Sequence, residues 1–373
     1  MHTNIIIGVN ISTFYILEEK LLMNTVLPVS KIMSVKKTET DGKISYRFLK
    51  AVDITPKDDA FHGNINLLDI EWWYFDAVFD NGYSLHVGVR TYHIKNSGIV
   101  QSRINIYKEG KTHVEAMKTN FFSNFHTSYD QPCIIIDDKP IIEFDQEHYE
   151  RTREWRYYVL LTIDHHEVDL VFTGTTQGWK IETSDTCWTV ALPKARVSGT
   201  IKINGHTMKV KGTGYHDHNW GYSPSTAVKN LGWFWGRISG EKLNITWSKT
   251  MQTNKKGDLL SIVNQDKNDI QNETDFYSIQ PECISFSTKN FINSHRRSIP
   301  TEFDLKINNS SSDNKTKVNA NIHIKTLDIQ HTRIFTIHYW RYHGKATGKI
   351  SVGGTTEKLD DKPQIIEFLS FKS

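Results

Sequence analysis

The sequence predicts a nearly all-β protein, antiparallel and rich in hairpins. Segment after segment alternates apolar and polar residues with a period of two, and glycine- and asparagine-containing turn signals separate those segments. Long helical periodicity is scarce. The alternating segments are "YSLHVGVRTYHI" (83–94), "RYYVLLTI" (156–163), "EVDLVFTG" (167–174), "VSGTIKINGHTMKVKGTGY" (197–215), "KLNITWSKT" (242–250) and "NANIHIKTLDI" (319–329). Turn signals fall at Asn81-Gly82, Asn204-Gly205, Lys256-Gly257-Asp258 and Ser310 to Asp313. "TIKINGHTMKV" is the clearest, a hairpin closed by a two-residue Asn-Gly turn. One short helix is expected over 223–230, started by Ser223-Pro224.

At 373 residues the chain suits one large or two medium domains, and strands at this spacing predict two sandwiches or barrels. The boundary is expected just after Gly221, where Tyr222-Ser223-Pro224-Ser225 interrupts the strands, giving domains over 46–222 and 223–373. Residues 1–45 are expected to be a poorly ordered extension. Their apolar stretch from Ile5 to Leu17 lacks a basic leader and a small-residue cleavage site, and it is too short to span a bilayer. Met23 and Met33 offer alternative starts. "NNSSSDNKTK" (308–317) reads as an exposed hairpin loop.

Composition excludes several classes. Hydrophobic content of 38% against 23% charged residues is that of a globular chain, not a disordered one. A net charge of +3 with no Lys/Arg run argues against nucleic acid as a partner. Cys133, Cys187 and Cys283 are far apart and form no CxxC pair, so neither a disulfide framework nor a zinc knuckle is expected, and a reducing, cytoplasmic setting is.

The aromatic residues are clustered. "EWWYFDAVFDNG" (71–82) puts Glu71, Trp73 and Phe75 on one strand face and Trp72, Tyr74 and Asp76 on the other. Trp179, Trp188, Trp220, Trp233, Trp235, Trp247 and Trp340 follow. Large rings on both faces require either burial between packed layers or a face that lines a chamber. Any single tryptophan is explained by core packing; the cluster suits an apolar ligand or a carbocation held by π faces, with Trp73, Trp220, Trp233 and Trp235 as substrate-binding candidates.

"GYHDHNWG" (214–221) concentrates protonatable groups. Three readings apply. His216 and His218, two apart on one strand face, resemble a metal pair, but no third histidine or carboxylate follows in "NWGYSPSTAV". Alternatively, Asp217 accepts backbone N–H groups and pins a turn. Thirdly, Asp217 and Tyr215 share a face, and a carboxyl among tryptophans is desolvated, holds its proton near neutrality and acts as a general acid, with the histidines relaying protons.

At these residues the chain resembles the family that includes carotenoid 1,2-hydratases and the AttH-like proteins. The resemblance is carried by "EWWYF" (71–75), by "LPKARVSGTIKINGHTMKVKGTGYHDHNWG" (192–221) and by "YWRYHGKATGKISVGG…EFLS" (339–370), which together span most of the chain beyond about residue 45. It implies two tandem lipocalin-like (calycin-type) antiparallel β-barrel domains with an apolar cavity. It also implies chemistry on greasy unsaturated molecules without metal or organic cofactor: hydration of an isoprenoid double bond, pericyclic chemistry on a polyene, or non-catalytic carriage of a lipid. In the hydratase form, Asp217 protonates the alkene, Trp188, Tyr215 and Trp220 shield the tertiary cation, and His218 or His216 takes the proton lost from the attacking water. Where the hydratases carry His-x-Trp, this chain has Thr186 and Trp188. The expected partner is a hydrophobic isoprenoid or lipid, met at a membrane surface on its inner face.

Overall fold

The computed structural model describes residues 46–184, 186–223, 230–252, 257–266, 276–309, 316–334 and 337–371. These residues are overwhelmingly strand and fall into two curled, nearly closed antiparallel sheets, as expected for tandem lipocalin-like domains. The first sheet, of 12 strands, runs from Asp69–Phe79 to His206–Tyr222. The second, of 10 strands, holds Asn230–Ser239 through Thr355–Ser370 and takes Tyr46–Arg47 as a parallel edge partner of Gly257–Gln265. The first two described residues therefore pair with the second sheet.

Strands follow the alternation closely. Tyr83–Ile94 and Arg156–Ile163 begin and end where the pattern does, and His166–Gly174, Leu243–Gln252 and Val318–Ile334 lie within a few residues of it or extend it. Cys187–Ile203 and His206–Tyr222 are joined through Asn204 and Gly205, with φ of 49° and 86°. Positive φ at both central residues is the geometry that lets a two-residue turn follow the twist of its strands. Pro193, which has no N–H to give a ladder, sits where the Cys187–Ile203 strand slips register between Thr189 and Ala195. A short α-helix, Gln146–Thr152, interrupts the first sheet; it is capped by Asp145, which accepts from the His148 N–H at 3.0 Å. Alternation gave no sign of it. Of the helix expected over 223–230, residues 224–229 lie outside the described residues and Asn230 already opens a strand; the extension 1–45 and the centre of the 308–317 loop also lie outside them.

Each sheet wraps its own core. Phe75, Val87, Ile104, Phe172 and Leu192 are among the side chains filling the first. Trp247, Phe303, Trp340 and Ile350 fill the second. A third apolar cluster, with Tyr74, Trp179, Tyr215, Trp235 and Ile262, lies between the sheets, flanked by Trp72, Trp188 and Trp233. Buried polar contacts tie the sheets together: Arg237 Nη2 lies 2.6 Å from Asp76 Oδ1, Arg341 Nη1 donates to the Tyr74 hydroxyl at 2.7 Å, and Trp179 Nε1 donates to Asn264 at 3.1 Å. No helix among the described residues is long and apolar enough to cross a membrane.

Candidate active site

His206–Tyr222 pairs with Asp69–Phe79 so that Tyr215 faces Asp76, Asp217 faces Tyr74 and Asn219 faces Trp72. Paired residues share a face, and the residues between them point the other way. One strand thus presents Tyr215, Asp217 and Asn219 to the space between the sheets, and His216 and His218 to the interior of the first barrel. A register slip at Gly221, with φ of 79°, ends the run.

A cavity of about 800 Å³ opens on the first of these faces. Trp72, Tyr74, Trp188, Asp217 and Asn219 line it from the first sheet; Trp233, Trp235, Leu260, Tyr339 and Glu367 line it from the second. Its size suits a small-molecule ligand. Asp217 is buried on its wall and, among the described residues, its carboxyl is held by side chains. Trp188 Nε1 and the Tyr215 hydroxyl both donate to Oδ2, at 2.9 and 2.8 Å, and Asn219 Nδ2 donates to Oδ1 at 3.1 Å. Burial raises the Asp217 pKa to about 7, against the pull of the Trp188 and Tyr215 donors, which favour the ionised form. With Oδ2 accepting from two donors, Oδ1 is the oxygen left to carry the proton.

A second carboxyl lies in the same cavity. Glu367 accepts from Arg341 Nη1 at 2.6 Å and from the Tyr339 hydroxyl at 2.7 Å. Burial pushes its pKa upward although Arg341 pulls it down. Tyr74 continues this network by donating to Asp76 Oδ2 at 3.0 Å.

The opposite face is a different environment. His216 stacks on Phe75 at 3.8 Å and His218 on Trp73 at 4.4 Å, both fully buried. His216 Nε2 lies 3.0 Å from Asp59 Oδ2, which also accepts from the Tyr157 hydroxyl at 2.6 Å. His218 Nε2 lies 2.8 Å from Glu71 Oε1, and burial lowers the His218 pKa. Asp59 and His62 arrive on the segment around the short 3₁₀ turn Pro56–Asp59, which tucks Ala60 and Phe61 into the barrel. His62, Glu71 and His218 bring ligand atoms within 4.8 Å of one another, a spacing that suits an ion. Both Glu71 oxygens, however, already accept main-chain N–H groups, from His62 at 2.8 Å and Gly63 at 3.0 Å. Burial would raise the Glu71 pKa, but its bonds to His218 and His62 hold it below the usual value, while Nδ1 of His62, Nδ1 of His218 and Oδ1 of Asp59 are buried without a hydrogen-bond partner among the described residues.

The predicted set is therefore divided by the sheet. Asp217, Tyr215 and Trp188 come together, with Trp233 and Trp235 on the facing sheet. His216 and His218 stand on the other face, and so does Trp220, whose ring stacks on His62 at 4.1 Å. Trp73 buries its ring in the first barrel and donates to the Asp59 carbonyl at 3.1 Å. Trp73 is nonetheless among the cavity-lining residues, where Trp72 and Tyr74 join it; their face was already readable in the alternation of "EWWYF". Glu367 carried no signal beyond its place in the terminal "EFLS".

Fold and site together define a two-barrel, lipocalin-like protein with a carboxyl-lined cavity between its sheets. The chain has the fold of the AttH-like proteins and of kievitone hydratase. It is similar to a putative AttH from Nitrosomonas europaea, with a TM-score of 0.56 and 14% identity over 86% of this chain and 98% of that one. It is similar to kievitone hydratase from Nectria haematococca, with a TM-score of 0.51 and 12% identity over 86% of this chain and 94% of that one. It is also similar to CghA, with a TM-score of 0.51 and 9% identity over 88% of this chain and 97% of that one. No family model matches the sequence, and no curated protein does.

Proposed function

We propose that the protein is a hydratase that adds water to a C=C bond of an isoprenoid or polyprenyl substrate, such as a carotenoid end or a geranylgeranyl chain of a membrane lipid, by acid catalysis. The observation that carries this reading is Asp217, a carboxyl with its pKa raised to about 7 on the wall of an aromatic-lined cavity. Such a group holds its proton in about half of the molecules near pH 7, where an ordinary carboxyl is ionised, and a general acid must have that proton to give.

Asp217 Oδ1 gives its proton to the less substituted carbon of a trisubstituted alkene, and the π pair forms the new C–H bond. The tertiary cation left on the other carbon is met by the rings of Trp72, Trp188, Trp233 and Trp235. Trp188 and Tyr215, still donating to Oδ2, stabilise the carboxylate formed in the same step. Water attacks the cation, and the proton it loses returns to Asp217, which restores the acid. The fold shared with kievitone hydratase agrees with this chemistry. His216 and His218 have no part in it; their bonds to Asp59 and Glu71 serve the barrel.

The test is incubation with polyprenyl substrates in heavy-oxygen water. A tertiary alcohol carrying the label, lost in Asp217→Asn, is the expected product. An isomeric product without added mass would make the protein a cyclase, and a ligand recovered unchanged from wild type and Asp217→Asn alike would make it a carrier.

A further inference from the structure

We infer that the ligand of this cavity is an amphipathic anion, whose carboxylate or phosphate is held by Arg90 and Arg103 while its unsaturated end reaches Asp217; the second half of that statement rests on the function proposed above. The register of the first sheet places these groups on one face. Asp217 pairs with Tyr74, Tyr74 with Gly88, Gly88 with Arg103 and Arg103 with Met117. In the adjacent row, Asn219 pairs with Trp72, Trp72 with Arg90 and Arg90 with Gln101. Every one of these residues lines the cavity. At about 4.8 Å between neighbouring strands, Arg103 stands roughly 14 Å from Asp217 and Arg90 roughly 10 Å from Asn219.

Three arginines and three carboxyl residues line the wall, but they do not all pair with one another. Arg47 is paired with Asp258 at 3.2 Å, and Glu367 with Arg341 at 2.6 Å. Arg90 and Arg103 have no carboxylate within ion-pair distance among the described residues. Arg90 lies over the Trp72 ring at 5.2 Å and donates to the Tyr92 hydroxyl at 3.3 Å, so its planar fork is already oriented. Among the described residues, the Arg103 side chain hydrogen-bonds Met117 Sδ, at 3.6 Å. Beside them, His86 has a buried Nδ1 without a hydrogen-bond partner, and its pKa is held well below the usual value by burial and by the charges of Arg341, Arg103 and Arg90. Two half-buried arginines beside an aromatic cavity, neither paired with a carboxylate among the described residues, are the recognition chemistry of a bidentate anion. A wholly neutral hydrocarbon would leave them without a counter-charge.

The experiment is ligand titration of the full chain, followed by quenching of its tryptophan fluorescence. The probes are farnesoic acid, farnesyl phosphate and, as the neutral control, farnesol. The acid or the phosphate is expected to bind roughly tenfold or more tightly than the alcohol, because a hydrogen-bonded charge contributes that much. The preference should weaken with salt and vanish in Arg90→Gln/Arg103→Gln while farnesol binding persists, which also shows that the variant is folded. Sedimentation with phosphatidylglycerol vesicles separates the sources. Loss of vesicle binding in the same variant assigns the anion to a lipid head group, and unchanged vesicle binding assigns it to a free acid. Equal affinity for acid and alcohol, or a preference that survives in the double variant, would overturn the inference. Asp217→Asn should keep the preference, so a failure of hydration leaves this result standing and the converse also holds.

Discussion

The indole N–H of Trp188 donates to Oδ2 of Asp217 across 2.9 Å, from a strand that pairs Trp188 with Asn219, two residues further along the acid's own strand. This donor favours the ionised carboxyl and opposes the burial that raises the pKa to about 7. Trp188→Phe keeps an aromatic wall and removes the donor. The Asp217 pKa should then move further up, and the alkaline limb of the pH–rate profile should move up with it. An unmoved limb would mean that Asp217 is not the group titrating in the reaction.

Asp217 also makes stability depend on pH. Its folded-state pKa, raised from 3.8 to about 7, means that the folded protein binds a proton more tightly than the unfolded chain does. The stabilisation is fully present below about pH 4 and is lost as pH rises towards 7, on the order of a few kcal/mol in all. Asp217→Asn cannot ionise. The variant should therefore gain on the wild type steadily between those pH values, as measured by urea unfolding at each pH. A difference that stays flat with pH would show that the carboxyl is not perturbed.

Much of the fold was legible in the sequence because each antiparallel strand has one packed face, and period-two alternation records that directly. The Asn204-Gly205 turn was legible because few residue pairs adopt positive φ twice in succession. Which of two opposite faces looks into a cavity is set by the second sheet, which the alternation of the first does not encode. Asp217 and the flanking histidines were therefore found together in the sequence, although the sheet separates them by a whole barrel wall. Arg90, Arg103 and Glu367 stayed hidden for a related reason. Their meaning comes from partners on distant strands, or from the want of them, and a lone arginine in an alternating segment reads as an ordinary solvated side chain.

Arg341 joins the two sheets at the cavity, with only 1% of its surface exposed. Arg341→Met would leave Glu367 buried with only tyrosine hydroxyls, Tyr339 and Tyr74, beside it, an uncompensated charge worth about 3–5 kcal/mol. Without the cation, the Glu367 pKa should climb beyond its already raised position, so the loss should be smallest at low pH, where the carboxyl is neutral. Arg341→Met/Glu367→Gln should recover part of the loss. Equal instability of the single and double variants would locate the role of Arg341 in packing and not in charge.

His218 distinguishes a structural histidine from a catalytic one. It is fully buried on the barrel face, stacked on Trp73 and bonded to Glu71, so its removal should act on the barrel and not on the cavity. His218→Gln keeps a donor near Glu71 but loses the stacked ring, and a destabilisation of about 1–3 kcal/mol is expected. With the protein held well below its melting temperature, the turnover of a hydrated substrate and the position of its alkaline limb should stay near wild type. A fall of about 100-fold in turnover with stability intact would instead be the effect of removing a general base. It would place proton transfer on the barrel side of the strand, and the division of the motif into a cavity face and a barrel face would no longer hold.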